Sequence, residues 1–565
     1  MNSVLNPISN RTVLKGHGFS RAVTRPKLIA ALAAGGLQTT GEDLPQGLKP
    51  SLSFSAFSAR LKSCPFKILS SSTSCSAAGA RRTIALLAIA ICLALAPTFL
   101  SAQQARPWEQ IPIPKLHDFK PHQPTRIELK NGIVLFLQED HELPFVSGSV
   151  LIPGGSRDED AAKAGLVSLY GQTWRTSGTA KMSGDALDDL LEAKAAHIET
   201  AGDDDSTALS WDSLKGDSNQ VFSLAMDLLF HPQFSGGKLH LAQQQMAMGI
   251  MRRNDDEGEI ASREVARLVY GTNSPYTRQP EFATVLSVTV DDLKAWHERT
   301  LGGKLIVAVS GDFDTAAMEA KLRAAFESLP AAKIAPARHD VFPGPKPGVY
   351  SIDKQDVNQS NIQIVGLGTD RRNPDVPAIA VMNEILGGGF ASRLFQKVRT
   401  ELGLAYAVGG GYGFEYDHPA TFRVVALTKS ASTVDATRAA LGEISGLTMR
   451  PFTQEELTRA KDNILNSFLF RYDTRQKVLA ESERLEFYGY PSDYLETYKA
   501  ALEKVTVADL DRVAKKYIHP EKYALLVVGK NDEIKPGLDE LKLGPVQPVD
   551  ITIPMPSQPP AAKKP

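Results

Sequence analysis

Past residue 102 this chain of 565 residues contains no cysteine, since Cys64, Cys75 and Cys92 all come earlier. The body therefore has no disulfide framework, no thiolate ligand for zinc and no cysteine nucleophile. Histidine is scarce as well. Eleven are present, and beyond residue 102 no two stand three or four positions apart, the spacing that sets two ligands on one helix face. The closest pair, His117 and His122, falls in a proline-rich stretch, and lone histidines such as His231 and His297 read as ordinary surface or core residues. Long apolar runs are missing too. The stretch Ile84–Ala96 has 13 residues, short of the roughly 20 that a spanning helix needs. Basic excess is confined to residues 1–102, where 11 Lys/Arg face only Glu42 and Asp43; the remainder carries 52 basic against 62 acidic residues. A body with that net of −10 is poorly suited to nucleic acid, whose phosphates require clustered cations. With 42% apolar and 22% charged residues, wholesale disorder and a polytopic membrane protein are excluded.

What is present begins with a leader. Arg81-Arg82, the apolar run 84–96, Pro97 and the small-residue opening Ser101-Ala102 describe a secretory signal. The expectation is export, with membrane attachment only if the segment persists as an uncleaved anchor. Residues 1–80 are serine-rich and basic; they read as sequence upstream of the true start or as a transit-like segment. Residues 1–102 are therefore set apart as extension plus signal, and 103–124 as a proline-rich leader.

The remainder repeats itself. Ile127–Leu135 alternates around Asn131-Gly132, a hairpin signal. Val146–Ile152 and Thr207–Trp211 read as further strands. Thr289 precedes a helical stretch with Asp292 three residues on, and the apolar strand Leu305–Val309 ends at Gly311. Thr506 and Asp509 repeat that capping pattern about 217 positions later, followed by a strand from Tyr523 to Val528 that ends at Gly529. A proline-rich linker at 331–347 separates the copies. The expected class is α+β: two homologous α/β halves, 125–330 and 348–545, each a mixed or antiparallel sheet packed with helices. Residues 546–565 read as a proline-rich tail, disordered from 548 onward.

Three sets of residues give the chain a family likeness. They are Gly154-Gly155-Ser156-Arg157-Asp158-Glu159 with Gly165-Leu166; Gly387-Gly388-Gly389-Phe390-Ala391-Ser392-Arg393-Leu394-Phe395; and Arg399-Thr400-Glu401-Leu402-Gly403-Leu404-Ala405-Tyr406. Together they resemble the pitrilysin (insulinase-like) zinc peptidases, most closely the mitochondrial processing peptidase type and its bacterial relatives. The likeness covers about 125–545 and implies a clamshell of two halves, with peptide adding as a strand to a sheet edge.

In active members a first-half helix carries H-x-x-E-H, two histidines holding zinc and a glutamate deprotonating its water. Counted from Gly165-Leu166, those positions fall here on Ser168, Gly171 and Gln172. The family's third ligand, a glutamate ahead of a stretch ending in two acids, falls on Gly249, before Ile250–Asp256. A hydroxyl, an amide and two glycines replace the ligands and the base, so no cofactor is expected on this chain. The second half keeps its part. Arg399 and Tyr406 match a pair that, in the family, donates hydrogen bonds to substrate carbonyls and to the developing oxyanion. Gly387, Gly388 and Gly389 lack the Lys-Ser/Thr of a phosphate loop and read as a substrate-side loop.

The resemblance thus implies a zinc-less subunit of a heteromeric metallopeptidase, inactive alone. It would lend Arg399 and Tyr406 in trans to a zinc-bearing paralogue and act on peptide or unfolded polypeptide in the bacterial periplasm or cell envelope. The alternative is a non-enzymatic scaffold or peptide-binding subunit of an envelope complex. Three lesser features complete the reading: Asp203-Asp204-Asp205 as a solvated turn or, less simply, a calcium site; Gly409–Tyr416 as a strand with close backbone approach; and Tyr270–Arg278 as a structural or peptide-positioning segment.

Overall fold

The computed structural model describes residues 122–333 and 340–555. The extension and signal at 1–102, the leader up to 121, linker residues 334–339 and the tail beyond 555 lie outside the described residues. The described residues of both halves belong to one compact unit.

The first half contains β1 (Thr125–Glu128), β2 (Val134–Glu139), β3 (Phe145–Pro153), α1 (Leu166–Thr176), β4 (His197–Gly202) and β5 (Ser206–Leu214). It continues through α2 (Gly236–Met251), α3 (Glu257–Tyr270), α4 (Val290–Leu301) and β6 (Ile306–Gly311). The second half contains β7 (Gly348–Asp353), β8 (Gln359–Leu367), α5 (Val376–Gly387), β9 (Ala405–Tyr412) and β10 (Thr421–Lys429). There follow α6 (Gln454–Arg471), α7 (Arg475–Phe487), α8 (Val507–Tyr517), β11 (Ala524–Gly529) and β12 (Val546–Pro548).

One six-stranded sheet runs β1-β2-β6-β3-β5-β4, and the other β12-β7-β11-β8-β10-β9. Laid side by side, the two orders correspond over five strands and differ at the outer one, β1 being antiparallel to β2 and β12 parallel to β7. The β2–β6 and β7–β11 pairs are both parallel, and the pairs that follow in each sheet are antiparallel. The fold is the two-half α+β architecture that the repeated capping motif implies. Both motifs form as capping boxes: Thr289 N–H donates to Asp292 and Asp292 N–H to Thr289 Oγ1, and Thr506 with Asp509 does the same at α8. Within β3 burial alternates, and Gly148 lies opposite Trp211 because a Cβ there would enter the indole ring.

The central strands β6 and β11 are buried on both faces, as their unbroken apolar sequences require. Helices of the same half, α1 and α4 among them, cover one face of the first sheet. The other face is covered by a helix from the opposite half. Ile260, Ala261, Val265 and Val269 of α3 pack on Ile352, Val365 and Leu526 of the second sheet. Reciprocally, Leu479 and Phe487 of α7 pack on Val134, Phe136, Ile306 and Ala308 of the first. The exchange is pinned by polar contacts. Glu486 receives Arg126 at 2.8 Å and Lys304 at 2.7 Å, and the Ser149 hydroxyl donates to Glu483, whose carboxyl burial pushes up to about 7.

The tail corrects the sequence reading. Residues 546–555 are ordered: β12 joins the second sheet beside β7, and Val549 N–H donates to the Ser351 carbonyl. Val549 and Ile551 then pack beside α3, and Ile553 reaches the core of the first half. Apolar residues set among the prolines supply the side chains for this contact. Among the described residues no helix is long and apolar enough to cross a membrane.

Candidate functional site

The first-half site is built on α1. Gly165, at φ 102°, starts the helix, and the buried Glu159 carboxylate accepts hydrogen bonds from Gly165 N–H at 2.9 Å and Val167 N–H at 3.0 Å. Of the motif positions that follow, Ser168 is half-buried, Gln172 is exposed, and Gly171 is buried against β4. A Cβ on Gly171 would lie 2.5 Å from Gly202 N, and one on Gly202 would lie 2.5 Å from Val167 Cγ1. Thr200 Oγ1 donates to the Gly171 carbonyl at 2.7 Å, adding to this contact. Two glycines thus bring strand backbone into the space that a glutamate side chain would need. Gly249 is exposed on α2, which packs on α1, with open space where its Cβ would stand. Among the described residues no group of three or more His, Cys, Asp or Glu is placed to hold a metal ion. Zinc does not fit here, because one ligand position, Gly249, has no side chain, the other two offer a hydroxyl and an amide, and the base position is filled by backbone.

Histidine does not replace it from elsewhere in the core. His297 of α4 is buried among Tyr170, Trp174 and Phe234, with its Nδ1 2.8 Å from the Tyr170 hydroxyl. Burial pushes its pKa down to about 4.

Asp203 and Asp204 are exposed, as the expected solvated turn requires, and Asp205 departs from that reading. The Arg157 side chain, only 8% exposed, ion-pairs Asp205 at 2.8 Å and Asp417 of the second half at 2.7 Å. It also donates to the Tyr276 hydroxyl, while Asp205 accepts from Tyr488. Burial raises the Asp205 pKa and Arg157 opposes that rise. Asp205 is therefore a bridging residue between the halves. In the segment Tyr270–Arg278, Tyr270 and Tyr276 make tilted ring contacts with Phe342 and His418. The stretch after Gly249 is also a junction: Asn254 binds Arg263 of α3, the Lys354 amine and the Ile551 carbonyl. None of these bridges was legible beforehand, because each joins residues far apart in the chain.

In the second half α5 repeats the close approach. A Cβ on Gly387 would lie 2.5 Å from Gly410 N, as Gly171 stands to Gly202. Asn383 brackets the end of β9, accepting from Tyr412 N–H at 2.8 Å and donating to its carbonyl at 2.9 Å. Gly388 and Gly389 form an exposed turn, and Arg393 is held by both oxygens of Glu456. A π-helix follows at Phe395–Glu401, anchored by buried Leu394 and Val398, with Arg399 outward. In β9 the register with β10 slips between Ala405 and Ala407, a bulge centred on Tyr406, a residue 62% exposed. The guanidinium of Arg399 stands 5.3 Å from the Tyr406 ring centroid and 4.7 Å from that of Phe395. The structure thus brings Arg399 and Tyr406 together, each on a local departure from regular backbone. Such departures are enriched at functional sites because they re-aim side chains. Neither has a hydrogen-bond or ion-pair partner among the described residues.

Comparison with known proteins agrees with this layout. Residues 134–261 match the family described as insulinase (peptidase family M16), and residues 287–464 match the peptidase M16 inactive domain. The chain is 22% identical over 408 residues to the non-peptidase homolog YmxG of Helicobacter pylori, covering 71% of this chain and 93% of that protein. It is 24% identical over 371 residues to an uncharacterized zinc protease of Streptomyces coelicolor, covering 64% and 80% respectively. Among solved structures, a peptidase M16 inactive domain from Pseudomonas fluorescens superposes with a TM-score of 0.65 at 22% identity, covering 72% of this chain and 98% of that one. A protease from Helicobacter pylori superposes with a TM-score of 0.63 at 17% identity, covering 72% and 100%.

Proposed function

From a chain that belongs to the peptidase M16 (insulinase) family, we infer a non-catalytic member that serves as the substrate-holding subunit of a two-chain peptidase. The observation that carries this reading is the contrast between the halves. Where the family places its metal and base, this chain has Ser168, Gly171, Gln172 and Gly249, and strand β4 fills the base position. Where the family places its carbonyl-binding pair, Arg399 and Tyr406 stand together, exposed and without a hydrogen-bond or ion-pair partner for either side chain among the described residues.

A guanidinium and a phenol are suited to donating hydrogen bonds to a carbonyl oxygen that gains charge during attack on a peptide bond. They bind and orient, but they generate no nucleophile. The hydrolytic half therefore belongs to a partner, a zinc-bearing paralogue with H-x-x-E-H, and this chain binds no zinc of its own. Export to the bacterial periplasm or cell envelope would place the pair with peptide or unfolded polypeptide. The names of the Helicobacter relative and the Pseudomonas structure support the inactive assignment.

Reconstitution tests the reading. The chain mixed with its zinc-bearing paralogue should cleave peptides that neither cleaves alone. Arg399→Ala should lower kcat by about a hundredfold, the usual cost of one oxyanion donor, without dissociating the complex. Full activity in the Arg399→Ala complex would reject the shared site, and a pull-down yielding only an unrelated envelope complex would favour a scaffold.

A further inference from the structure

The end of the first sheet remote from α1 carries an apolar tip. The β2–β3 connection reads His141-Glu142-Leu143-Pro144-Phe145, and all five residues are exposed. Leu143 is 66% exposed and Phe145 43%, and Leu214, opposite Phe145 in the β3–β5 register, is 40% exposed. Backbone hydrogen bonds fix the tip. Phe145 N–H donates to the Leu143 carbonyl, Lys215 N–H to that of Pro144 and Asp312 N–H to that of Phe145, each at 2.8 Å. Strand β3 then runs about 26 Å to Pro153, where the glycine motif leads toward Ser168, Gly171 and Gln172.

Apolar side chains gathered on a fixed, exposed loop mark a surface that meets an apolar phase or a partner. The chain joins the fold at this same end. Thr125 of β1 stands opposite Leu137 near the end of β2, and the His122 ring lies 3.0 Å from Gln138 Nε2. Ahead of His122, with 25 residues between, comes Ile84–Ala96, the apolar run of the expected export signal. The segment that would bring the chain to a membrane is thus connected on the side where the tip stands. Size favours lipid over protein, because four apolar residues fall far short of the roughly 800 Å² per partner of a stable protein interface. Charge selects the lipid. His141 lies 2.8 Å from Glu139 and 2.6 Å from Asp312, Lys215 lies 2.8 Å from Asp312, and Arg475 faces Asp140 at 3.5 Å. Glu142 adds a further exposed acid, so this end has no cationic excess to draw it to anionic headgroups.

We propose that Leu143, Pro144, Phe145 and Leu214 insert into the interfacial layer of a zwitterionic lipid bilayer. The chain then lies on the membrane with the α1 end of its first sheet turned away from it. Insertion of side chains alone is shallow, reaching the boundary between headgroups and acyl chains. The proposal needs only that the exported chain meets lipid, and it is independent of the substrate-holding reading.

The test places tryptophan at each end of the sheet in the whole chain, as Phe145→Trp and, in the exposed β1–β2 turn, Lys130→Trp. Each is mixed with phosphatidylcholine vesicles carrying brominated acyl chains, and the emission added over wild type is followed. Quenching is expected at position 145 and not at 130. Adding Leu143→Asp to Phe145→Trp should weaken the lipid dependence of that quenching by about tenfold, the worth of one large apolar side chain, while Leu143→Met should keep it. Exchanging half the lipid for phosphatidylglycerol should leave it unchanged or weaker. Equal quenching at both positions would overturn the proposal by showing attachment without this orientation. Emission at 145 untouched by lipid would overturn it too, as when a protein partner or the leader covers the tip. Quenching that requires phosphatidylglycerol would overturn the zwitterionic assignment. None of these outcomes bears on Arg399 and Tyr406, whose reading stands or falls with the reconstitution.

Discussion

At Gly171 a single missing side chain decides what the first half can do. A Cβ there would lie 2.5 Å from Gly202 N and 2.8 Å from the Ala201 carbonyl carbon, distances that real Cβ atoms do not adopt. Helix propensity alone favours alanine over glycine by about 1 kcal/mol. Overlap with backbone outweighs that gain, since strand β4 cannot move aside as a flexible side chain could. Gly171→Ala is expected to destabilise the chain by roughly 1–3 kcal/mol. Gln172→His and Gly249→Glu, at exposed positions, should each stay within about 0.5 kcal/mol of wild type. Urea denaturation of the three variants distinguishes these outcomes, and a Gly171→Ala chain as stable as wild type would contradict the close packing of α1 on β4. The sequence already told that the metal ligands and the base were gone. It could not tell that the gap was closed, because Gly202 lies 31 positions away and its approach is a tertiary fact.

Between elements, the docking of α4 on α1 depends on a histidine kept neutral. Burial pushes His297 down to about 4, while its Nδ1 faces the Tyr170 hydroxyl. In an unfolded chain it would titrate near 6.5. From pH 6.5 down to 4 the unfolded state takes up a proton that the native state refuses, so stability falls as pH drops through that window. The loss attributable to this group is about 3 kcal/mol when the window has been crossed. Buried carboxyls such as Glu159 and Glu483 are raised and act in the opposite direction, so the difference between wild type and His297→Gln is the informative quantity. The fall in urea midpoint from pH 7.5 to 5.0 should be smaller in the variant than in wild type, or reversed. An unchanged pH dependence would show that His297 is not the titrating group. Elements with local signatures were legible beforehand, as the capping boxes of α4 and α8 and the apolar strands β6 and β11 were. The π-helix around Arg399 and the bulge at Tyr406 were not, since both arise from how β9 must meet β10 and α5.

For the whole molecule, the repeat foretold two halves but not their interlocking. Nothing in the sequences of α3 and α7 marks what they pack on, and only the assembled chain reveals that each covers the sheet of the other half. Arg157 bridges Asp205 and Asp417 across the same junction, and the tail from Val549 to Ile553 ties the second sheet to the core of the first half. None of these contacts involves Ser168, Gln172 or Gly249. A framework so tied can present Arg399 and Tyr406 without a catalytic centre of its own. The central claim is that this chain holds substrate and has no hydrolytic metal. The most direct test is the zinc content and peptidase activity of the purified chain, measured together after incubation with excess zinc and removal of unbound ion. The account predicts substoichiometric zinc and no cleavage; one tightly held zinc per chain, accompanied by hydrolysis, would contradict it.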